Sequence, residues 1–557
     1  MTLTTGHDAE LLETDARLRA MLAEFGQLRI EADDEADAFP VAIWDRLNAL
    51  GIQRFYIPST LGGALADYES SARLTRTMAR HDVTVAVAHG KTYLGAVCTW
   101  IAGTDAQQRW LAEIIARGVP VSWALTERDH GSDLTSGEMC AEPVEGGYRL
   151  DGEKWLINNA SKGGVVCVLA RTGQGGGFGG FGLFLIDKRT VRPDEFTALA
   201  KESTHGIRGA DISGFRARGL TVPADARVGA DGHGLEIVAR ALQSTRTMCA
   251  YLSLGAADHA LALAVSESGE LPVDGFAAQL AGEALATVAA RGIQALPGDQ
   301  AALSAAVKYL VPTIVEDLIR DLRRQLGPWA LVAGHGTGGT MAKVERDHRI
   351  VSLFDGNTLV NLHALISNFP ILLWRSPERT AEDLEGLRVC TTLAQPLPDF
   401  DGDRLTLRPR RGAGVLAGLP DALERLGEDH ALVAAEVDQL RAALTELTET
   451  TRALDRHAVS TPAEAFTAAA RLCVLMGAAA AVHLWVNNRD DPMFAEDELW
   501  TDALWLRLAL HALCERLGAR RPLPTSVRER AARILRDQVG AGEPISFLFR
   551  ARTKVGR

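Results

Sequence analysis

Ala124-Leu-Thr-Glu-Arg-Asp-His-Gly-Ser-Asp133 and, one hairpin further on, Asp151-Gly-Glu-Lys-Trp-Leu-Ile-Asn-Asn159 decide what kind of fold this chain forms. The first begins as a strand and gives way at Thr126 to a Gly-Ser-Asp turn, whose exposed N–H groups and hydroxyl suit an anion or the edge of a ring. The second is a strand with an indole, Trp155, and two amides at its end. The chain changes period on either side of them. Before Val119-Pro120 it reads as helix after helix: Val41, Ile43, Trp44, Leu47 and Leu50 recur at helical spacing, Ala86 to Ile101 is apolar, and Gly103-Thr-Asp105 marks a turn and an N-cap before a helix over Gln107 to Ala116. From Pro120 to about Gly232 short β-type runs, 121–125, 148–150, 165–170, 182–186 and one ending at Val222-Pro223, alternate with Gly-rich or polar turns. After Gly232-His-Gly234 the helical period returns over 235–242, 247–266, 275–295 and 301–326.

Helical, β, helical is an uncommon order, and it sets an α+β class with four segments: residues 1–119 helical, 120–233 β, 234–375 helical and 376–557 an additional helical extension. Within the last, Pro396 to Gly418 reads as a linker or irregular lobe, and 419–454, 462–487, 497–517 and 526–539 read as amphipathic helices. At 557 residues the chain is too long for one core. With 47% apolar and 23% charged residues it is globular, and a formal charge of -12 argues against general affinity for nucleic acid or anionic membranes. Seven cysteines without a C-x-x-C pair fit reduced thiols of a cytoplasmic protein and no metal site. The N-terminus lacks the basic and apolar regions of a signal peptide, and the longest apolar run, 472–486, is shorter than a membrane span and reads as a buried helix.

Two glycine-rich strings invite a nucleotide-loop reading that their context rejects. Gly173 to Gly182 lies between two β runs and is a hairpin connection. Ala333-Gly-His-Gly-Thr-Gly-Gly339 satisfies G-x-G-x-x-G, but a helical segment precedes it and no βαβ unit surrounds it. A third stretch, Arg346-Asp-His-Arg-Ile-Val-Ser-Leu-Phe-Asp-Gly-Asn-Thr358, ends a buried segment on one carboxylate, Asp355, beside a glycine that lets the backbone bend. That is a place for a general base, and equally for a helix C-cap.

Five ordered motifs resemble the acyl-CoA dehydrogenase superfamily over residues 30 to 372: the T-E-x-x-x-G-S-D turn, the strand ending in Trp155 and Asn158, Gly206-Ile-Arg-Gly-Ala-Asp211, Val222-Pro223, and Arg346-Asp347-x-Arg-Ile. The resemblance implies an FAD-dependent oxidoreductase that desaturates an acyl thioester, carried by CoA or by a carrier protein, with hydride leaving Cβ for the flavin. It implies Asp355 as the base with Arg246 close by, Trp123, Leu125, Thr126, Ser132, Trp155 and Asn158 around the flavin, and Gly334, Gly336, Asn357 and Thr358 as further cofactor contacts. It also implies electron-transfer flavoprotein or O2 as acceptor and a homo-oligomer, dimer or tetramer. The extension resembles the extra helical domain of long family members, which favours dimerisation.

Three departures from that pattern stand out. The family's base is usually glutamate, and aspartate draws the carboxylate back by roughly 1.5 Å. The R-x-x-F-G segment is replaced by Ser266 to Gly275, and the glutamine before the glycine loop by Ala330. A flavin oxidase or monooxygenase on the same scaffold, as in the nitroalkane oxidase branch that uses aspartate, and a FAD-free scaffold protein that uses its tail for partners, are the alternatives.

Overall fold

The computed structural model describes residues 6–173, 177–332, 337–374, 379–454 and 460–548. Six helices come first: α1 (Gly6–Ala23), α2 (Gln27–Glu35), α3 (Val41–Leu50), α4 (Tyr68–His81), α5 (Val83–Ala102) and α6 (Asp105–Ala116). Asp82 separates α4 from α5 and caps the second through Thr84 N, so two buried helices turn sharply without losing a backbone donor. The Gly-Thr-Asp triplet does what its residues suggest: Thr104 and Gln107 form a reciprocal capping box on α6.

Eight strands follow: β1 (Val121–Ala124), β2 (Cys140–Val144), β3 (Gly147–Asn158), β4 (Val165–Arg171), β5 (Phe181–Asp187), β6 (Phe196–Leu199), β7 (Ile212–Pro223) and β8 (Arg227–Val228). They form one mixed sheet, ordered β6-β7-β3-β2-β4-β5-β8, with β1 added in parallel to β4 through the Trp123–Cys167 register. β4 and β5 are antiparallel partners, and the glycine-rich 173–182 segment, of which 174–176 lie outside the described residues, connects them as a hairpin. Both are buried on both faces, which is why they read as unbroken apolar runs and not as alternation.

The chain then returns to helices α7 (Gly234–Glu267), α8 (Val273–Ala295), α9 (Gln300–Leu326), α10 (Gly338–Val351) and α11 (Thr358–Ile366). The sequence suggests two helices over 235–266; the structure has one of 34 residues. Gln243, Ser244 and Thr245 interrupt the apolar pattern yet stay buried, because the Gln243 amide donates to Thr406 O and Ser244 Oγ accepts from the Tyr93 hydroxyl. The extension supplies α12 (Ala381–Thr391), α13 (Gly414–Ala417), α14 (Leu419–Glu424), α15 (His430–Ala453), α16 (Ala463–Asn488), α17 (Leu504–Arg516) and α18 (Thr525–Gly540). A single helix over 419–454 is not formed. Its turn falls at Gly427, whose φ of 57° lies in the left-handed region.

Helices α16 and α17 pack on α8 and α9 of the same chain. Among the described residues two helices, α7 and α16, are long and apolar enough to cross a membrane, and 78% of the apolar window of each is buried inside the fold. The apolar run 472–486 falls in α16, as a buried helix should.

Two of the five sequence motifs meet where the sheet joins the second set of helices. A Cβ on Gly206 would lie 2.1 Å from Arg346 O, so only glycine permits this approach. Asp347, fully buried, accepts from Ile207 N at 2.6 Å and pairs with Lys343 at 2.5 Å. Asp211 accepts from Ser161 N and Lys162 N. These acids hold the layers together.

Candidate active site

Asp355 follows α10 in a loop where two successive residues take left-handed backbone, Asp355 at φ 56° and Gly356 at φ 96°. Aspartate is among the few side chains that tolerate this region, and glycine is free of the penalty. The bend turns the Asp355 side chain toward α5 and α7. Lys91 Nζ on α5 donates to Oδ2 at 3.0 Å, and the Cys249 thiol on α7 donates to the same oxygen at 3.3 Å. Oδ1 accepts nothing among the described residues. Both partners of the ion pair are nearly buried, with 12% and 10% of the Lys91 and Asp355 side chains exposed.

Arg246, expected beside the carboxylate, is close but differently engaged: its Nε donates to the backbone carbonyl of Asp355 at 3.0 Å. It fixes the loop and leaves direct pairing of the carboxylate to Lys91. Burial pulls the Arg246 guanidinium below its usual range, and the Asp355 charge partly offsets this. Burial, and then the Asp355 charge, push the Cys249 thiol up to about 12, so it remains a proton donor. Lys308 donates to Val351 O at 2.6 Å, and burial lowers it despite the attraction of Cys249 and Asp355. The Lys91 ammonium also lies 3.9 Å from the Phe354 ring centroid.

The carboxylate forms part of the wall of a small pocket, about 30 Å³, lined mostly by apolar side chains of α5 and α7, including Val87, Leu94, Met248 and Leu252, with Tyr56 and Tyr93 among the other lining residues. Such a lining is apolar and leaves little room for water beside the base.

The residues expected around a cofactor come from β1, β3 and the turn after β1. Ser122 Oγ donates to Asn159 O at 2.8 Å, tying β1 to the residue that follows β3. Both polar atoms of the Asn158 side chain are buried with no hydrogen-bond partner among the described residues, while the buried Trp123 indole faces the Cys98 thiol. Buried polar groups are seldom left so, and a buried amide with neither end satisfied fits the edge of a polar ring system. Thr126 is spent differently: its hydroxyl donates to Trp155 O at 2.6 Å and its carbonyl accepts from Trp155 N at 3.0 Å, pinning β1 to β3. The Trp155 indole donates to Glu202 at 2.6 Å, under the Arg128 guanidinium. Leu125 is half-buried, and Ser132 and Thr358 are exposed. Asn357 caps α11 and donates to Ser132 Oγ at 3.1 Å, closing the rim between the sheet's turn and the Asp355 loop. Gly334 and Gly336 lie outside the described residues.

Sequence reasoning missed Lys91. Its signal was present: it is the only Lys, Arg, Asp or Glu in α5, set inside an apolar run. Its partner lies 264 residues away, which no local pattern discloses.

Comparison with known proteins agrees with this geometry. Family models described as acyl-CoA dehydrogenase, N-terminal domain, and acyl-CoA dehydrogenase, middle domain, match residues 10–118 and 122–219. The chain is 27% identical over 346 residues to the probable acyl-CoA dehydrogenase FadE25 of Mycobacterium tuberculosis, covering 59% of this chain and 87% of that one. The structure resembles butyryl-CoA dehydrogenase from Megasphaera elsdenii (TM-score 0.59, 23% identity, 65% of this chain and 97% of that). It resembles the FAD complex of PigA similarly (TM-score 0.58, 18% identity, 66% and 98%). At these identities the two structures speak for the fold alone. The helical, mixed-sheet and helical layers are those of a flavoenzyme fold. Residues 10–118 and 122–219 match the acyl-CoA dehydrogenase N-terminal and middle domains, a family of FAD-dependent oxidoreductases.

Proposed function

We propose that this chain binds FAD and desaturates an acyl thioester between Cα and Cβ, with Asp355 removing the Cα proton. The observation that carries this is a carboxylate at the wall of an apolar pocket with one oxygen anchored twice and the other free of partners among the described residues. Asn158 offers the cofactor an unpartnered amide, Trp123, Leu125 and Trp155 offer it surface, and Ser132, Asn357 and Thr358 stand at the rim. When bound, FAD supplies the two-electron acceptor for the Cβ hydride. Asp355 Oδ1 takes the proton as the Cα–H bond breaks, and the apolar wall keeps water from competing for it. The acyl carrier is CoA or a carrier protein, and the final acceptor is electron-transfer flavoprotein or O2.

The test is anaerobic mixing of the FAD-loaded protein with a series of acyl thioesters. Bleaching of the flavin with formation of the enoyl thioester is expected. Reduction only on adding NAD(P)H would replace this reading by a monooxygenase, and a colourless protein that takes up no FAD would remove both.

A further inference from the structure

We propose that Lys91 is a positioning residue for the base: with the Cys249 thiol it clamps Oδ2 of Asp355, so that Oδ1 is the oxygen presented to the acyl pocket. The proposal rests on Asp355 being the base, and it answers how a side chain one methylene short is held in place. Three points fix it. Arg246 Nε, from α7, holds the backbone carbonyl at 3.0 Å; Lys91 Nζ, from α5, holds Oδ2 at 3.0 Å; and Cys249, from α7, holds the same oxygen at 3.3 Å. The loop itself is bent so that the carboxylate reaches them, with Asp355 and Gly356 both left-handed. A Cβ on Gly356 would come within 3.0 Å of Arg246 Nη2, so the guanidinium and the bend fit only with glycine between them.

Stability alone does not account for Lys91. Burying an ammonium in an apolar helix costs more than a methionine of similar length, and the rest of α5 is apolar, small or neutral. Other charged groups face the site without touching the carboxylate. Lys308, from α9, spends its hydrogen bond on Val351 O, and its ammonium lies 5.6 Å from the Phe354 ring centroid, against 3.9 Å for Lys91. Arg246 is committed to a backbone oxygen. Lys91 is therefore the one cation hydrogen-bonded to the carboxylate among the described residues, and Cys249 is its neutral counterpart on the same oxygen.

The experiment uses the FAD-loaded full chain and an acyl thioester with sulfur in place of Cβ, which cannot lose hydride and so reports proton removal alone, as exchange of Cα hydrogen in deuterium oxide. Lys91→Met is expected to slow exchange by about 100-fold, the loss typical of a group misplaced by about 1 Å. The acidic limb of the rate–pH profile should move upward, because the carboxylate has lost its cation, and KM should change by less than about threefold. Lys91→Arg should recover most of the rate, and Cys249→Ala should cost about tenfold or less while leaving the pH limb near its place. A Lys91→Met enzyme that binds FAD and exchanges within about twofold of the parent, with an unmoved pH limb, would overturn the positioning role. If Lys91→Met does not load FAD, failure of Lys91→Arg to support exchange with the parent's pH limb overturns it equally. Asp355→Asn in the same assay separates the two levels: exchange at the parent's rate in that variant would remove the base itself, whatever Lys91 does.

Discussion

Helix α7 carries two buried clusters of acid and base only nine residues apart, about 14 Å along its axis, and they are built to opposite ends. At Asp258 every carboxylate oxygen is taken. Arg76 donates to both oxygens of Asp258 at 2.9 and 2.7 Å and to Glu283 at 2.6 Å. Gln279 and Ile545 N complete Asp258, and Ser546 and Phe547 N complete Glu283. The last segment of the chain thus closes a network begun on α4, 469 residues earlier, with Arg76 also donating to Ile545 O. At Cys249 the same helix touches a carboxylate at a pocket wall, with one oxygen filled and the other accepting nothing among the described residues. A network whose carboxylate oxygens are all matched specifies geometry. One with a vacant acceptor can take a proton.

Arg76→Met breaks the closed cluster most severely, because it leaves two buried carboxylates without their cation. A loss of about 5 kcal/mol in unfolding free energy is expected. Burial already holds Glu283 above its usual carboxylate range, with Arg76 opposing the shift. Denaturant titration measures it; a change below about 1 kcal/mol would mean that the tail and not the arginine holds this region. Asp355→Asn attacks the open cluster. Enoyl formation should fall by about a thousandfold, roughly 4 kcal/mol of barrier, with FAD still bound, and Asp355→Glu should keep some activity. An asparagine variant that desaturates within tenfold of the parent would erase the distinction between the two clusters.

The fold was legible because its signals are local or ordered. The strand runs 165–170 and 182–186, the capping triplet at Thr104 and the apolar period of α3 each follow from residues close in sequence. At the site, Asp355 was legible from its place before Gly356. What engages it was not. Lys91 reads as a stray charge in an apolar run until α5 is laid against the Asp355 loop, and Arg246 reads as a partner for a carboxylate when it holds a carbonyl. The uninterrupted α7 was hidden for the same reason: Gln243 and Ser244 look solvent-facing in one dimension and bond to distant atoms in three, while Thr245 bonds back to Leu242 O. Pattern reports which residues prefer burial, and polar residues buried by pairing escape it.

Asp299 stands between the two extremes and sharpens the contrast. It is closed off like Asp258, but its hydrogen-bond donor is a backbone group, Gly414 N, and burial raises its carboxyl to about 6. The folded protein therefore binds a proton that the unfolded chain, at about 3.8, has released. The linked stability is complete below about pH 4 and is lost as pH rises through 6. Parent protein should lose about 3 kcal/mol from this group between pH 4 and pH 7, and Asp299→Asn should lose none of it. Unfolding free energies of both proteins across that range decide the matter; parallel pH dependence would place Asp299 among the fully compensated acids.

Ser546→Ala makes the smallest change and tests the comparison most directly. The Ser546 hydroxyl donates to buried Glu283 Oε1 at 2.5 Å and accepts from Leu548 N at 2.9 Å. A hydrogen bond to a charged group is worth about 2 kcal/mol, and Glu283 keeps Arg76 and Phe547 N when the hydroxyl goes. The loss should therefore stay near that figure and well below that of Arg76→Met. Because the network is closed, no part of it should reach the acyl pocket, and kcat/KM measured on the same preparation should match the parent. A variant that keeps its stability and loses activity would show that the two clusters on α7 communicate, and that the closed one does more than hold the chain's end in place.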